Sequence, residues 1–161
     1  SQWEQAVLLF GQLLLPGSHI SPSIISYNTA MTACVSGEQW QRALGLFASI
    51  PRHLRRTTIT YGAAVSACET ARLWEDAIAL LVQCQDQQLE HTLVIYNTTI
   101  SACEKGGYWQ GALQLLRDLG TAQLKASTVS YNAAITACEG GGRWRLAMVL
   151  LGELFGSELE G

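Results

Sequence analysis

Apolar positions recur along the chain at two nested spacings. Within short stretches they fall three and four residues apart, the mark of one buried helical face. Over longer distances the same pattern returns about once every 35 residues. Tyr27, Tyr61, Tyr96 and Tyr131 are separated by 34, 35 and 35 residues, and a Trp follows each after 13: Trp40, Trp74, Trp109 and Trp144. Trp3 extends the series, 37 residues before Trp40. A fixed period of this length predicts a solenoid of stacked helical units.

Each unit reads as two helices. In the first, an aliphatic residue lies two before the Tyr (Ile25, Ile59, Val94, Val129), and Ala-Cys lies six and seven after it: Ala33-Cys34, Ala67-Cys68, Ala102-Cys103, Ala137-Cys138. The second helix starts near each Trp, with Ala three residues on: Ala6, Ala43, Ala77, Ala112, Ala147. A small side chain there lets two helix axes approach, while the Trp fills the wider gap at the helix start. Gly37, Gly106-Gly107 and Gly140-Gly141-Gly142 fall between the two helices as terminators. Pro16, Pro22 and Pro51 fall between units, and Ser23, Thr57, Thr92 and Ser127 stand ahead of the first helices, where N-caps belong. No segment shows sustained strand alternation.

The length, 161 residues, suits one domain or one continuous array. Charged residues make up 14%, against about 25% in an average soluble protein, and the formal net charge is −3. That balance speaks against a dedicated polyanion binder. An apolar share of 48% excludes disorder. The richest apolar stretch, Ala6 to Leu15, is broken by Gly11 and Gln12 and is too short to span a bilayer.

Four of the five cysteines follow the repeat, at spacings of 34, 35 and 35, and read as small buried hydrophobes in a reducing compartment. Cys84 stands outside the series. His19, His53 and His91 fall in separate linkers, with no metal-ligand spacing and no nucleophile–base pattern. No enzymatic activity, cofactor, metal or small-molecule substrate is expected. The chain opens on a second helix without its partner, so a segment of a longer protein is expected.

The stretches Ser26-Tyr27-Asn28-Thr29-Ala30-Met31, Tyr96-Asn97-Thr98-Thr99-Ile100-Ser101-Ala102-Cys103 and Tyr131-Asn132-Ala133-Ala134-Ile135, with the Trp-x-x-Ala-Leu second helices, resemble the pentatricopeptide repeat of the P type. The tetratricopeptide repeat fits poorly, because its Trp lies in the first helix. The resemblance covers a partial unit at 1–23 and full units at 24–57, 58–92, 93–127 and 128–161. It implies an all-α, right-handed α-solenoid of helix-turn-helix repeats (an alpha-alpha superhelix, tetratricopeptide-like). It also implies an organellar protein, plastid or mitochondrial. Such a protein binds single-stranded RNA at one nucleotide per repeat and acts in RNA processing, stability or translation.

In that family the residue after the Tyr reads a base together with the last residue of the unit. Carried over, the pairs are Asn28 with Thr57, Gly62 with Thr92 and Asn97 with Ser127, while Asn132 has no partner before the chain ends. The expected reading, 5′ to 3′, is a pyrimidine, an unread base and cytosine, since Gly62 has no side chain. Ile25, Ile59, Val94 and Val129 match the family's base-sandwiching positions; core packing would explain them equally. Capping alone would explain the Ser and Thr partners.

Phosphate contacts are sparse. The position nine after each Tyr, often Lys in the family, holds Ser36, Thr70, Lys105 and Gly140, preceded in three units by Glu69, Glu104 and Glu139. Arg52, Arg55 and Arg56 with His53 form the best basic cluster, either a solvated linker or a phosphate or partner contact. The acidic balance leaves a second function open: a helical-repeat scaffold that binds protein subunits of a large organellar assembly, such as a ribosome or a photosynthetic or respiratory complex.

Overall fold

The structure, a computed structural model, describes residues 2–13, 21–90 and 92–159. Pro16, His19 and His91 lie outside the described residues. Within them every regular element is a helix: α1 (Gln2–Leu13), α2 (Ile24–Ser36), α3 (Trp40–Ser49), α4 (Thr58–Ala71), α5 (Trp74–Asp86), α6 (Leu93–Lys105), α7 (Trp109–Thr121), α8 (Thr128–Gly140) and α9 (Trp144–Leu159).

The first helices start where a hydroxyl side chain satisfies an orphan backbone donor. Ser23, Thr57, Thr92 and Ser127 are extended, and each accepts a hydrogen bond from the N–H three residues on. Ser26, Thr60 and Ser130 return the contact to the cap backbone, forming a reciprocal box. Ile95 has no hydroxyl, so α6 starts on a one-way cap. Helices α3, α5 and α7 have no side-chain cap at all; they depend on tertiary packing.

First helices lie side by side: α2 on α4, α4 on α6, α6 on α8. Each second helix packs on the first helix of the next unit: α1 on α2, α3 on α4, α5 on α6, α7 on α8. The repeated Tyr joins these layers. Tyr27, Tyr61 and Tyr96 are buried, and Phe10 and Phe47 meet Tyr27 and Tyr61 edge-on at 4.8 and 5.6 Å between centroids. Ala43, Ala77 and Ala112 are fully buried, which allows the close axis approach. Cys34, Cys68, Cys103 and Cys138 fill the same slot in successive units, and Cys84 is buried in α5. Burial pushes the Cys68 thiol to about 12, with Asp76 adding to it, and the Cys103 thiol to about 11. Neither supplies a thiolate at neutral pH.

The glycines do end the first helices, with Gly37, Gly106 and Gly141 as their C-caps, and these three are also contact points. Gly37, Gly106 and Gly141 have ordinary negative φ, but an indole from the preceding unit lies against each: Trp3 on Gly37, Trp74 on Gly106, Trp109 on Gly141. Accordingly, Trp3, Trp74 and Trp109 each close a gap against the next unit. Trp74 also stacks on Tyr108 at 4.1 Å, and Arg42 and Arg143 each lie 5.0 Å over the Trp3 and Trp109 rings. The left-handed residue of these turns is the next one along or nearby: Glu38, Arg72, Gly107 and Gly142.

Candidate nucleic-acid interface

The aliphatic residues two before each Tyr do not join the core. Ile25, Ile59, Val94 and Val129 are 71%, 67%, 70% and 61% exposed, although their helices pack side by side. A recurrent exposed apolar row on neighbouring helices is a costly surface and marks a contact. Core packing as their explanation is thereby overturned. Between them lie grooves. One, of about 750 Å³, is lined by Ile25 and Ile59 together with Asn28, Thr32 and Trp3. The next, of about 410 Å³, runs between Ile59 and Val94 and includes Gly62 and Thr92. Each groove therefore sits between the aliphatic residues of two successive units.

The candidate reading residues differ from unit to unit. Asn97 Nδ2 donates to Ser127 Oγ at 3.3 Å, and Asn97 Oδ1 accepts from Ser130 Oγ at 2.6 Å. The pair implied by the family resemblance is thus in direct contact across 30 residues of sequence. Asn28 is nearly buried, and its Oδ1 has no hydrogen-bond partner; the hydroxyls of Thr57 and Thr60 are 3.1 Å apart and bond each other. Gly62 leaves an open position, since a Cβ there would meet only Ile95 Cγ1 at 3.9 Å. Asn132 is exposed. All four hydroxyl residues do cap their helices, and at Ser127 capping and contact with Asn97 coexist.

Charge is arranged sparingly. Lys105 Nζ donates to Glu69 Oε1 at 2.7 Å, and Ser101 Oγ donates to the same oxygen at 2.8 Å. The lysine at the family's phosphate position is thus tied to an acid of the previous unit. Burial raises the Glu104 carboxyl above its ordinary range; Lys105 partly offsets this and Glu69 reinforces it. In the basic linker, Arg56 lies 4.3 Å over the Phe47 ring and donates to the Phe47 carbonyl at 3.2 Å, which makes it a structural contact. Arg52, Arg55 and His53 stay exposed and line a separate groove of about 620 Å³ that shares no residue with the other two.

The sequence reading missed Trp3 and Thr32 in the first groove, and Ser130 beside Asn97. Only Ser130 had a local signal: a hydroxyl three residues after a cap. Among the described residues no group of three or more His, Cys, Asp or Glu side chains could hold a metal ion, and no helix is long and apolar enough to cross a membrane.

These features define an α-solenoid of helix-turn-helix repeats whose first helices carry an exposed aliphatic row. The chain belongs to the pentatricopeptide repeat family: the family model for the PPR repeat matches residues 25–53, 94–121 and 129–158. The unmatched interval contains α4 and α5, which nonetheless form the same helix pair. The fold is similar to that of the pentatricopeptide repeat protein PPR10 from maize, with a TM-score of 0.80 and 28% identity over 95% of this chain and 22% of that one. It is equally similar to PPR10 in complex with an 18-nt psaJ RNA element, with a TM-score of 0.81 and 26% identity over the same shares. This chain thus spans about a fifth of the PPR10 length. No curated protein matches the sequence.

Proposed function

We propose that this segment binds single-stranded RNA along its stacked first helices, one nucleotide per unit. Ile25, Ile59, Val94 and Val129 sandwich the bases. Asn28 with Thr57, and Asn97 with Ser127, meet the base edges. Gly62 with Thr92 leaves the second unit unread, and Asn132 stands ready for a fourth base. The observation that carries this reading is the exposed aliphatic row, with grooves between Ile25 and Ile59 and between Ile59 and Val94. The known solenoid of the same fold that holds RNA lends it chemical precedent. The setting is organellar, in RNA processing, stability or translation.

Three readable units supply limited affinity. Stacking contributes about 1–3 kcal/mol per base, and association costs consume much of that. Neither groove along the aliphatic row is lined by a Lys or Arg, Lys105 is held by Glu69, and Arg52 and Arg55 line a separate groove, so the salt dependence is shallow. Titrating short single-stranded RNAs at two salt concentrations tests the reading. Saturable binding that weakens when Ile59 or Val94 is changed to Asp supports it; no binding at low salt overturns it.

One observation favours a second reading. Lys105 is already paired to Glu69, and the recurrent acid slot beside it repels phosphate. A scaffold contact with protein subunits of a large assembly would use the same apolar row. Migration of the native protein alone on a sizing column would count against it.

A further inference from the structure

We propose that Ser130, a residue of the following unit, fixes the orientation of the Asn97 amide and so decides which pyrimidine the third unit accepts. The inference rests on the RNA reading above. It adds a positioning residue, not a base contact.

An Asn amide has a donor end and an acceptor end of nearly equal shape. One orientation complements cytosine, whose edge offers an acceptor at N3 beside a donor. The flipped orientation complements uracil, whose N3 carries a proton. An amide free to flip fits both bases; a held amide fits one.

Asn97 is held. Ser130 Oγ accepts from the Ser127 backbone N–H at 3.0 Å and lies 2.6 Å from Asn97 Oδ1. A separation of 2.6 Å is too short for an ordinary N–H···O bond and usual for O–H···O. The hydroxyl therefore donates, and the atom facing it is the amide oxygen. Nδ2 is left at Ser127, to which it donates at 3.3 Å. Ser130 is fully buried, so water does not compete for its proton.

Unit one supplies the internal contrast. Thr60 occupies the same place, accepts from the Thr57 N–H at 3.0 Å and is also fully buried. Its hydroxyl lies 3.1 Å from Thr57 Oγ1, just as Ser130 Oγ lies 3.1 Å from Ser127 Oγ, but it makes no hydrogen bond to the Asn, and Asn28 Oδ1 is left without a partner. Asn28 is therefore the unlocked version of the same device. Removing the hydroxyl is compatible with folding, because α6 starts normally with Ile95 at the equivalent position.

The test compares the 161-residue chain with Ser130→Ala and Ser130→Thr. Five-nucleotide RNAs varied only at the base facing α6 are titrated by NMR. The unaltered chain and Ser130→Thr are expected to favour one pyrimidine by about fivefold, the scale of one neutral hydrogen bond. Ser130→Ala should bring the two pyrimidines within about twofold while keeping the apolar sandwich. In the absence of RNA, the Asn97 side-chain amide protons should exchange faster with water in Ser130→Ala only. Binding with an unchanged pyrimidine ratio in Ser130→Ala, or unchanged Asn97 amide exchange, overturns the role of Ser130 alone. No binding by the unaltered chain overturns the RNA reading and base choice with it.

Discussion

The Trp74 side chain lies against Gly106, so close that a Cβ at that position would stand 2.5 Å from Trp74 Cδ1 and 3.1 Å from its Cβ. This contact joins α5 to the end of α6. It gives the glycine a reason that φ does not: its φ is −81°, open to any residue.

Gly106→Ala should therefore destabilise the protein, against the helix-propensity trend that favours Ala. Overpacking of this kind costs about 1–3 kcal/mol, or several degrees of Tm for a chain of this size. Pairing it with Trp74→Leu should recover part of the loss. A Gly106→Ala melting curve equal to that of the unaltered chain would show that the indole moves aside freely.

Gly62 is the opposite case. It lies inside α4 with open space around it. Gly62→Ala should raise stability by about 0.5–1 kcal/mol through lost unfolded-state freedom. Gly62→Asn, at smaller gain, should give the second unit a reading side chain and tighten RNA binding severalfold. Thermal melts and RNA titration measure the two effects separately.

Breaking the Lys105–Glu69 pair should trade stability for RNA affinity. The pair is substantially exposed, so its own contribution is below about 1 kcal/mol. Glu69→Gln keeps an acceptor for Ser101 and frees the ammonium. The log–log salt slope of RNA binding should steepen by about one unit per phosphate gained.

Glu104 should make the fold lose stability as pH rises. Its folded carboxyl sits above the ordinary value, so the native state binds the proton more tightly than the unfolded chain does. This contribution is fully present below the unfolded value and disappears as pH climbs through the raised one. Glu104→Gln should melt higher than the unaltered chain at pH 7, with the gap closing on acidification below about 4.5. Melts from pH 3.5 to 7.5 would show it; a gap independent of pH would refute it.

Much of this fold is legible in the residues. The Tyr–Trp period places the helix pairs, and the Ser and Thr caps mark where the first helices begin. The roles of some residues are not legible, for physical reasons. In helix α2, Asn28, Thr29, Thr32 and Ser36 lie three, four, seven and eleven residues after Ile25, so Ile25 stands in a polar stripe while Met31 is buried, and the period alone gives no reason for an apolar residue there. A glycine after a helix satisfies both a turn and a close approach, and only the indole's position separates the two. The faint signal was there: a Gly lies 34, 32 and 32 residues after Trp3, Trp74 and Trp109. The partners of Lys105 and Asn97 lie 30 to 36 residues away, on neighbouring helices that local spacing does not connect.

The hydrogen bonds from Asn97 on α6 to Ser127 and Ser130 at the start of α8 have one more consequence. What α6 presents at its surface is set by the unit that comes after it. At this junction the meaningful element is then the seam, to which each unit contributes half. Excising either unit would erase that seam, so transplanting it faithfully requires cutting within the helices and leaving the seam whole.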